Sequence, residues 1–236
     1  MKKYFIKKCL NIYKYKHVNY SYIGCRLANI LYCHYKFVDY SNKLGYKMIP
    51  FNSLGFVFKH FGSVIYPQEV LEELCTFLKP FESQESVLDV GAGTGVMSEF
   101  AYKCNKELNY VAVDPAEGML SYAPEYLQTH IASAEELPFE NDSFDAILMG
   151  ESLHHFRDPK IAFEEVKRVL RQNGKLFIYD FDVSTFLGKS ISTMEKLFGE
   201  PAHFYKPKEL KKMLEAYGFS VNIVHHKWRY TVSAYL

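Results

Sequence analysis

One nine-residue run, VLDVGAGTG at Val87–Gly95, constrains the fold of this chain more than any other feature. It predicts a buried strand that contains an acid, followed by glycines at every second position and then by a helix to Cys104. Glycine lets the backbone approach a ligand closely, and the first turn of a helix offers N–H groups that lack partners within the helix. The run therefore predicts a strand–loop–helix unit with a binding site at its turn.

The spacing of these glycines indicates which ligand the turn suits. A dinucleotide fingerprint has the order GxGxxG, whereas here Gly95 comes one residue early and Val96 takes the expected place. An acid, Asp89, also precedes the first glycine. Its carboxylate would repel a pyrophosphate but attract the ammonium group of an amino acid. The site therefore suits S-adenosylmethionine, and a glycine-rich turn without a ligand is the alternative.

Short apolar runs alternate with helical patterns along the second half of the chain. This alternation predicts a parallel sheet that is covered on both faces. A final helix over Lys206–Ala216 precedes two extended runs so close together that they can pair only as antiparallel strands. The predicted strands are 87–90, 110–114, 128–132, 144–149, 175–179, 219–226 and 228–235, and Asn173-Gly174 is predicted to end the helix that starts at Pro159.

Two further features lie at the carboxyl ends of the predicted strands. Asp114 ends the second strand, where a carboxylate can accept both hydroxyls of a ribose; a turn residue before Pro115 is the alternative interpretation. Ser133-Ala134-Glu135 follows the third strand, at the edge where open α/β sheets bind ligands. Its polar groups are candidates for contacts with an adenine edge.

The stretch from Ser86 to Asp182 closely resembles the class I S-adenosylmethionine-dependent methyltransferases. Within that family, it resembles the branch with the ubiquinone/menaquinone C-methyltransferases and many small-molecule methyltransferases. The resemblance implies a Rossmann-like three-layer α/β sandwich, with a mostly parallel seven-stranded sheet and a C-terminal antiparallel hairpin. The methyltransferase domain would span residues 67–236. The runs that carry the resemblance are VLDVGAGTG, VAVDPAEGML, SAEELPFENDSFDAI, SLHHFRDP and EEVKRVLRQNGKLFIYDFD.

The resemblance also implies roles for particular residues. Ser133 departs from the pattern, because many relatives have Asp there, and its contact to the adenine amine is expected to be weaker or to come from the backbone. The residues implied in cofactor binding are Asp89, Gly91, Gly93 and Gly95 at the methionine end, Asp114 at the ribose, Pro115, Met119, Ser133, Ala134 and Glu135 at the adenine, and Gly150 at the methyl-donor pocket.

Methyl transfer from a sulfonium is an in-line displacement, and orientation of the reactants can supply about 7–11 kcal/mol of the barrier. A general base is needed only if the acceptor is protonated. The candidates are His154 and His155, with Glu151 behind them, and support of the loop is the alternative role for the histidines. We expect a small or medium-sized, apolar or aromatic acceptor with an O, C or N nucleophile. A nicotinamide-dependent oxidoreductase and a non-catalytic S-adenosylmethionine-binding protein are the rival functions.

The first part of the chain, residues 1–66, differs in composition from the rest. Residues 1–50 hold ten lysines and arginines and one acid, Asp39, with tyrosines between them. We expect a helical arm that acts as a lid and, together with the aromatic segment 184–205, roofs the acceptor site. Aromatic and basic residues in this arrangement also suit nucleic acid or an anionic lipid surface, which are the alternatives.

The five cysteines show no CxxC pair, so neither a disulfide framework nor a zinc site is expected, and the sequence predicts no metal ligands at all. This cysteine usage favours a reducing, cytoplasmic location. No stretch approaches the roughly 20 apolar residues of a membrane span. The sequence does not predict an oligomeric state.

Overall fold

The computed structural model describes residues 59, 66–197 and 201–236, and the expected arm therefore lies almost entirely outside the described residues. From β1 to β5, strands and helices alternate in the order that the apolar pattern predicts. The elements are α1 Gln68–Leu78, β1 Ser86–Val90, α2 Val96–Cys104, β2 Asn109–Val113, α3 Glu117–Leu120, β3 Gln128–His130, β4 Phe144–Gly150, a 3₁₀ turn Leu153–His155, α4 Pro159–Val169, β5 Leu170–Phe181, α5 Phe186–Leu197, α6 Pro207–Ala216, β6 Ser220–His226 and β7 Arg229–Tyr235.

The strands form one seven-stranded sheet in the order β3-β2-β1-β4-β5-β7-β6. Strands β1 to β5 pair in parallel, and β7 pairs antiparallel with both β5 and β6. The predicted mostly parallel sheet with a C-terminal antiparallel hairpin is confirmed. Because β7 runs against β5, its first residue, Arg229, lies opposite Phe181 at the carboxyl end of β5. The hairpin thus contributes residues to the same sheet edge as the glycine loop.

Helices cover both faces of the sheet, which confirms the three-layer arrangement. On one face, α1 and α2 bury Leu74 and Met97 against the central strands. On the other, α4 and α6 bury Phe163 and Leu214. The start of α4 follows from local chemistry, because the side chain of Asp158 accepts hydrogen bonds from the first backbone N–H groups of the helix.

The boundary between α4 and β5 differs from the prediction. Asn173-Gly174 was expected to form a turn before a strand at residue 175, but β5 begins at Leu170, directly after the helix. Leu170 is buried and pairs with Phe144, and the register then shifts before Ala146 pairs with Lys175. Asn173 adopts a φ of 66°, so the expected turn is an irregularity inside the strand.

A disulfide joins Cys75 of α1 to Cys104 at the end of α2, which corrects the expectation that disulfides are absent. The two cysteines are 29 residues apart and show no characteristic spacing, so the sequence carried no signal for the pair. The two helices pack side by side and bring the Cα atoms to 4.9 Å. The expected cytoplasmic location rested on the cysteine usage, and the disulfide weakens that argument.

The segment after β5 contains a helix that the sequence did not predict, α5. Its first residue, Phe186, is 88% exposed, so it does not contribute to a roof over the sheet edge. None of the helices in residues 66–197 and 201–236 combines the length and the apolar character that a membrane span requires.

Candidate active site

The glycine loop between β1 and α2 is tied to the carboxyl end of β2. The backbone N–H groups of Gly91 and Ala92 donate to the carbonyl oxygen of Val113 at 2.9 and 3.0 Å. The N–H of Gly93 donates to Oδ2 of Asp114 at 2.8 Å, while Oδ1 of the same carboxylate accepts from Ala116 N–H at 2.8 Å. Asp114 therefore shapes the loop and still has lone pairs available for two further donors.

Gly91 is a position of the glycine loop at which a side chain would collide with the neighbouring turn. Its φ is +71°, and an added Cβ would lie 2.5 Å from the Cβ of Ser152. Ser152 follows β4 and donates from its hydroxyl to the carbonyl oxygen of Val90 at 2.8 Å. The glycine thus allows the loop after β1 and the turn after β4 to lie against each other.

Asp89 lies buried under this loop. Its Oδ2 accepts hydrogen bonds from the backbone N–H and the hydroxyl of Ser98, at 3.1 and 2.6 Å. Its Oδ1 is buried and has no hydrogen-bond partner among the described residues. Burial raises the pKa of Asp89 from 3.8 to about 6, although the bonds from Ser98 act in the opposite direction, and nearby Asp114 adds to the rise. A cationic donor that reached Oδ1 would complete the hydrogen bonding of this carboxylate.

The raised pKa of Asp89 predicts that cofactor binding depends on pH. An ammonium group favours the ionised carboxylate, so S-adenosylhomocysteine affinity should rise by up to about tenfold between pH 5 and pH 7 and then level off. For folding of the free chain the sign is opposite. The pKa of Asp89 is higher in the folded chain than in the unfolded one. The contribution of Asp89 to the free energy of unfolding is therefore complete below about pH 3.8 and is lost as pH rises through about 6.

Calorimetric dissociation constants at pH 5, 6 and 7 test this dependence. The Asp89→Asn chain is the control, because its uncharged amide should bind more weakly at pH 7 and show a flatter profile. Equal affinities of the unaltered chain at all three pH values would contradict the prediction.

The residues implied at the adenine lie around the ends of β2 and β3. Met119 is buried, and its Cε lies 3.3 Å from the position that a Cβ on Gly93 would occupy. Ser133 is half-buried, Ala134 is buried and Pro115 is exposed. The carboxylate of Glu135 accepts backbone hydrogen bonds from Arg157 and Asp158, at 2.7 and 3.2 Å. In this structure Glu135 therefore supports the loop before α4.

The two histidines follow β4 on the 3₁₀ turn and lie against the end of β5. His154 is 1% exposed, and its Nδ1 lies 2.6 Å from Oδ1 of Asp180. Its Nε2 lies 3.7 Å from Oε2 of Glu195 on α5. Phe204 stacks on the imidazole at 4.4 Å between ring centroids, and the ring of His155 lies at 4.1 Å. Both predicted histidines lie at this sheet edge, and their chemical role remains a prediction.

A largely buried pair of charged side chains, Glu151 and Arg229, lies at the same edge of the sheet. Glu151 follows β4 and lies 2.5 Å from Nε of Arg229, with both side chains nearly buried. Burial raises the pKa of Glu151 to about 8, against the opposing effect of the guanidinium. Glu151 has a φ of 53°, which a residue with a side chain rarely adopts and which costs on the order of 1 kcal/mol or more. Its neighbour Gly150 is equally constrained, because an added Cβ would collide with the hydroxyl of Tyr66.

Aromatic rings form a wall beside these polar groups. Phe181 stacks with Trp228 at 5.6 Å and contacts Phe204 at 5.8 Å. The guanidinium of Arg229 lies 3.7 Å from the Trp228 ring centroid. Of the aromatic residues expected to roof the site, Phe204 lies in this wall, Tyr205 packs partly against the core and Phe198 lies outside the described residues. The edge thus combines an apolar surface with buried charges.

Four residues of this edge were not predicted from the sequence. Asp180 lies one residue before the end of β5, and it directly follows the predicted strand 175–179, so the rule that identified Asp114 could have identified it. Arg229 could have been placed only once β7 was known to run antiparallel to β5. Tyr66, the last residue of the expected arm, is buried beside Gly150, and Glu195 lies on the unpredicted helix α5. No local pattern indicates either of these two residues.

Comparison with known proteins places this geometry in a family. The model of the family described as "Methyltransferase domain" matches residues 88–178. The uncharacterized methyltransferase YcgJ of Bacillus subtilis is 33% identical over 123 residues, which are 46% of each chain. The demethylmenaquinone methyltransferase of Thermotoga maritima is 28% identical over 163 residues, 58% of this chain and 71% of that enzyme.

The solved structures agree with the sequence relatives. The crystal structure of YcgJ superposes with a TM-score of 0.54 and 27% identity, and the match covers 65% of this chain and 70% of YcgJ. This chain spans about half the length of the curated relatives that it matches first, between 45% and 63%. Residues 88–178 of this chain are therefore similar to a methyltransferase domain, and the sheet around them has the fold of solved S-adenosylmethionine-dependent methyltransferases.

Proposed function

We propose that this protein transfers a methyl group from S-adenosylmethionine to a small or medium-sized acceptor that lies over the carboxyl ends of β4 and β5. The observation that carries the proposal is the buried Oδ1 of Asp89, an acceptor with no hydrogen-bond partner among the described residues, beneath the glycine loop. The bound cofactor supplies a methyl group that is already activated on a sulfonium. The residues of the chain therefore bind, orient and exclude water rather than form a covalent intermediate.

For the cofactor seat, we propose that Asp89 receives the ammonium group and Asp114 the ribose hydroxyls. Gly91, Gly93 and Gly95 would hold the methionine end, because their positive φ angles give the loop a backbone path that residues with side chains rarely adopt. Gly150 would line the methyl-donor pocket, where its lack of a side chain lets Tyr66 and Met97 pack against the end of β4. The adenine would lie near Pro115 and Met119, with Ser133, Ala134 and Glu135 at its edge. This division of roles follows the family resemblance, and the hydrogen bonds of Asp114 to the loop support it.

For the acceptor, the aromatic wall and the buried charges favour an aromatic ring that carries a polar group. Phe181, Phe204 and Trp228 offer stacking surfaces. Glu151, Asp180 and Arg229 offer polar partners at the same edge. Apolar pockets with a few convergent polar groups bind small molecules in this way. A nucleic-acid partner was expected only through the arm, which lies almost wholly outside the described residues.

The histidine pair would act on an acceptor that carries a proton. Asp180 accepts from Nδ1–H of His154, which leaves the lone pair of Nε2 directed away from Asp180. This arrangement orients an imidazole for proton acceptance, as a general base requires. His155 is half-buried beside it and is the second candidate.

Transfer of label from methyl-labelled S-adenosylmethionine tests the function. The intact chain is incubated with the labelled cofactor and a fractionated extract of small molecules, and the products are separated by chromatography and mass. We expect at least one extract compound to gain the labelled methyl group. Cofactor binding without any transfer would favour a non-catalytic binding protein, and reduction of NAD by an extract fraction would favour an oxidoreductase.

A further inference from the structure

Three side chains at the acceptor edge bring metal-ligating atoms together, although the sequence predicted no such group. One ligand atom each from His154, His155 and Glu195 lies within 4.8 Å of the other two. The histidines come from the turn after β4 and the glutamate from α5, 40 residues further along the chain. No spacing rule covers such a separation, which is why the sequence did not reveal the group.

The distances suit ligands of one ion. Two ligands that each lie about 2.1 Å from a metal, at an angle of about 110–125°, are themselves about 3.4–3.7 Å apart. Nε2 of His154 and Oε2 of Glu195 are separated by 3.7 Å. That distance is too long for a hydrogen bond. The half-buried side chain of His155 has to move by about 1 Å or less to reach the same centre, since the widest separation is within 4.8 Å.

Asp180 prepares His154 to act as a ligand. The hydrogen bond from Nδ1–H to the Asp180 carboxylate, 2.6 Å long, places the lone pair on Nε2, the nitrogen that faces Glu195. Metal-binding histidines commonly donate their other N–H to a carboxylate in this way, which fixes the tautomer and the ring orientation. Ring contacts with Phe204 and His155 limit its rotation further.

The charge around the group favours a cation. Glu195 and Asp180 both act electrostatically on the carboxyl group of Glu151, so three carboxyl groups share this edge. Arg229 is the cation paired with Glu151. In addition, the lone pair of Nε2 and the Glu195 carboxylate face each other as two acceptors. A cation between them would be attracted by both.

We propose that His154, His155 and Glu195 bind one divalent transition-metal ion, with Asp180 orienting His154 from behind. Two imidazoles and one carboxylate suit ions such as Zn²⁺ or Co²⁺ better than Mg²⁺, which prefers oxygen ligands. Three protein ligands leave at least one coordination position for an exogenous donor atom.

The consequence for methyl transfer rests on the proposed function, whereas metal binding itself does not. A hydroxyl group of the acceptor that coordinated the ion would lose its proton to solvent more readily, because the ion stabilises the alkoxide or phenolate. The methyl group would then pass from the sulfonium to that oxygen. With the ion in place the imidazoles act as ligands, and the ion replaces them in activating the acceptor.

Metal titration of the intact chain tests the site directly. After chelator treatment and alkylation of free cysteines, the chain is titrated with Co²⁺ and followed by visible absorption, and with Zn²⁺ by calorimetry. We expect one ion per chain and no competition from Mg²⁺. Glu195→Gln should weaken binding by about 100-fold, and Asp180→Asn by about 10–100-fold.

His226→Asn is the matched control, because His226 lies 3.2 Å from a carboxylate oxygen of Glu73 in a histidine–glutamate pair outside the proposed site. Its metal affinity should equal that of the unaltered chain. Dissociation constants above about 1 mM, or equal losses in Glu195→Gln and His226→Asn, would overturn the proposal. S-adenosylhomocysteine binding and label transfer on the same preparations keep the two proposals separate, since transfer without metal binding would contradict only this one.

Discussion

Replacement of Arg229 with alanine is expected to lower the free energy of unfolding by about 3–5 kcal/mol. The guanidinium is paired with Glu151 at 2.5 Å, and the two side chains are only 12% and 13% exposed. Above the raised pKa of Glu151, about 8, the carboxyl group is ionised, and removal of the guanidinium leaves this buried carboxylate without its counter-charge, which is among the more costly changes in a protein interior. The variant also loses the contact of the guanidinium with the Trp228 ring. Urea denaturation of the unaltered and Arg229→Ala chains at a pH of about 9, above the pKa of Glu151, measures the difference.

Two variants sharpen this test. Lys103→Ala breaks the exposed ion pair with Glu99 and should cost less than about 1 kcal/mol. The double variant Arg229→Met, Glu151→Gln removes both charges and should recover part of the loss, because an uncharged pair avoids the desolvation cost. A loss below about 1 kcal/mol in Arg229→Ala would show that the pair is not a buried structural element.

Replacement of Asp114 with alanine is expected to weaken binding of S-adenosylhomocysteine by about 1–3 kcal/mol, a factor of about 5 to 150. The ribose would lose a charged hydrogen-bond acceptor. In addition, the N–H groups of Gly93 and Ala116 would lose the carboxylate that ties the glycine loop to β2. Calorimetric titration measures the change.

The control for this variant is Glu117→Ala, which removes an exposed acid three residues further along the chain. It should leave the affinity within about twofold, since single exposed charges contribute little. Asp114→Asn should fall between the two, because the amide oxygen can still accept one of the loop hydrogen bonds. Unchanged affinity in Asp114→Ala would remove Asp114 from the cofactor site.

The fold was predictable where the pattern is local. Strands β1, β2 and β4 are short apolar runs, and their observed ends lie within one residue of the predicted ones. The start of β5 was not predictable in this way. Asn173-Gly174 has the composition of a turn, but pairing of Leu170 with Phe144 extends the strand through it. Tertiary pairing here overrides the local preference.

In the candidate site, too, residues placed by a local pattern could be predicted, and residues placed by tertiary packing could not. Asp89 lies one residue before the end of β1 and Asp114 directly follows β2, so their place at the sheet edge could be inferred from the sequence. Glu195 reaches the histidines only because α5 packs against this edge, and Cys75 reaches Cys104 only because α1 packs against α2. No spacing in the sequence indicates either contact. The position of Arg229 at this edge depends on the antiparallel direction of β7. The candidate residues of the cofactor half could therefore be proposed from the sequence, whereas most of the charged groups of the acceptor half came from the structure.

The central claim is that the glycine loop binds S-adenosylmethionine, and parallel calorimetric titrations of the intact chain with S-adenosylhomocysteine and NAD test it most directly. The carboxylates of Asp89 and Asp114 favour an ammonium group and a ribose over a pyrophosphate. We therefore predict a dissociation constant for S-adenosylhomocysteine on the order of micromolar and no measurable heat with NAD. Saturable binding of NAD without any response to S-adenosylhomocysteine would contradict the account.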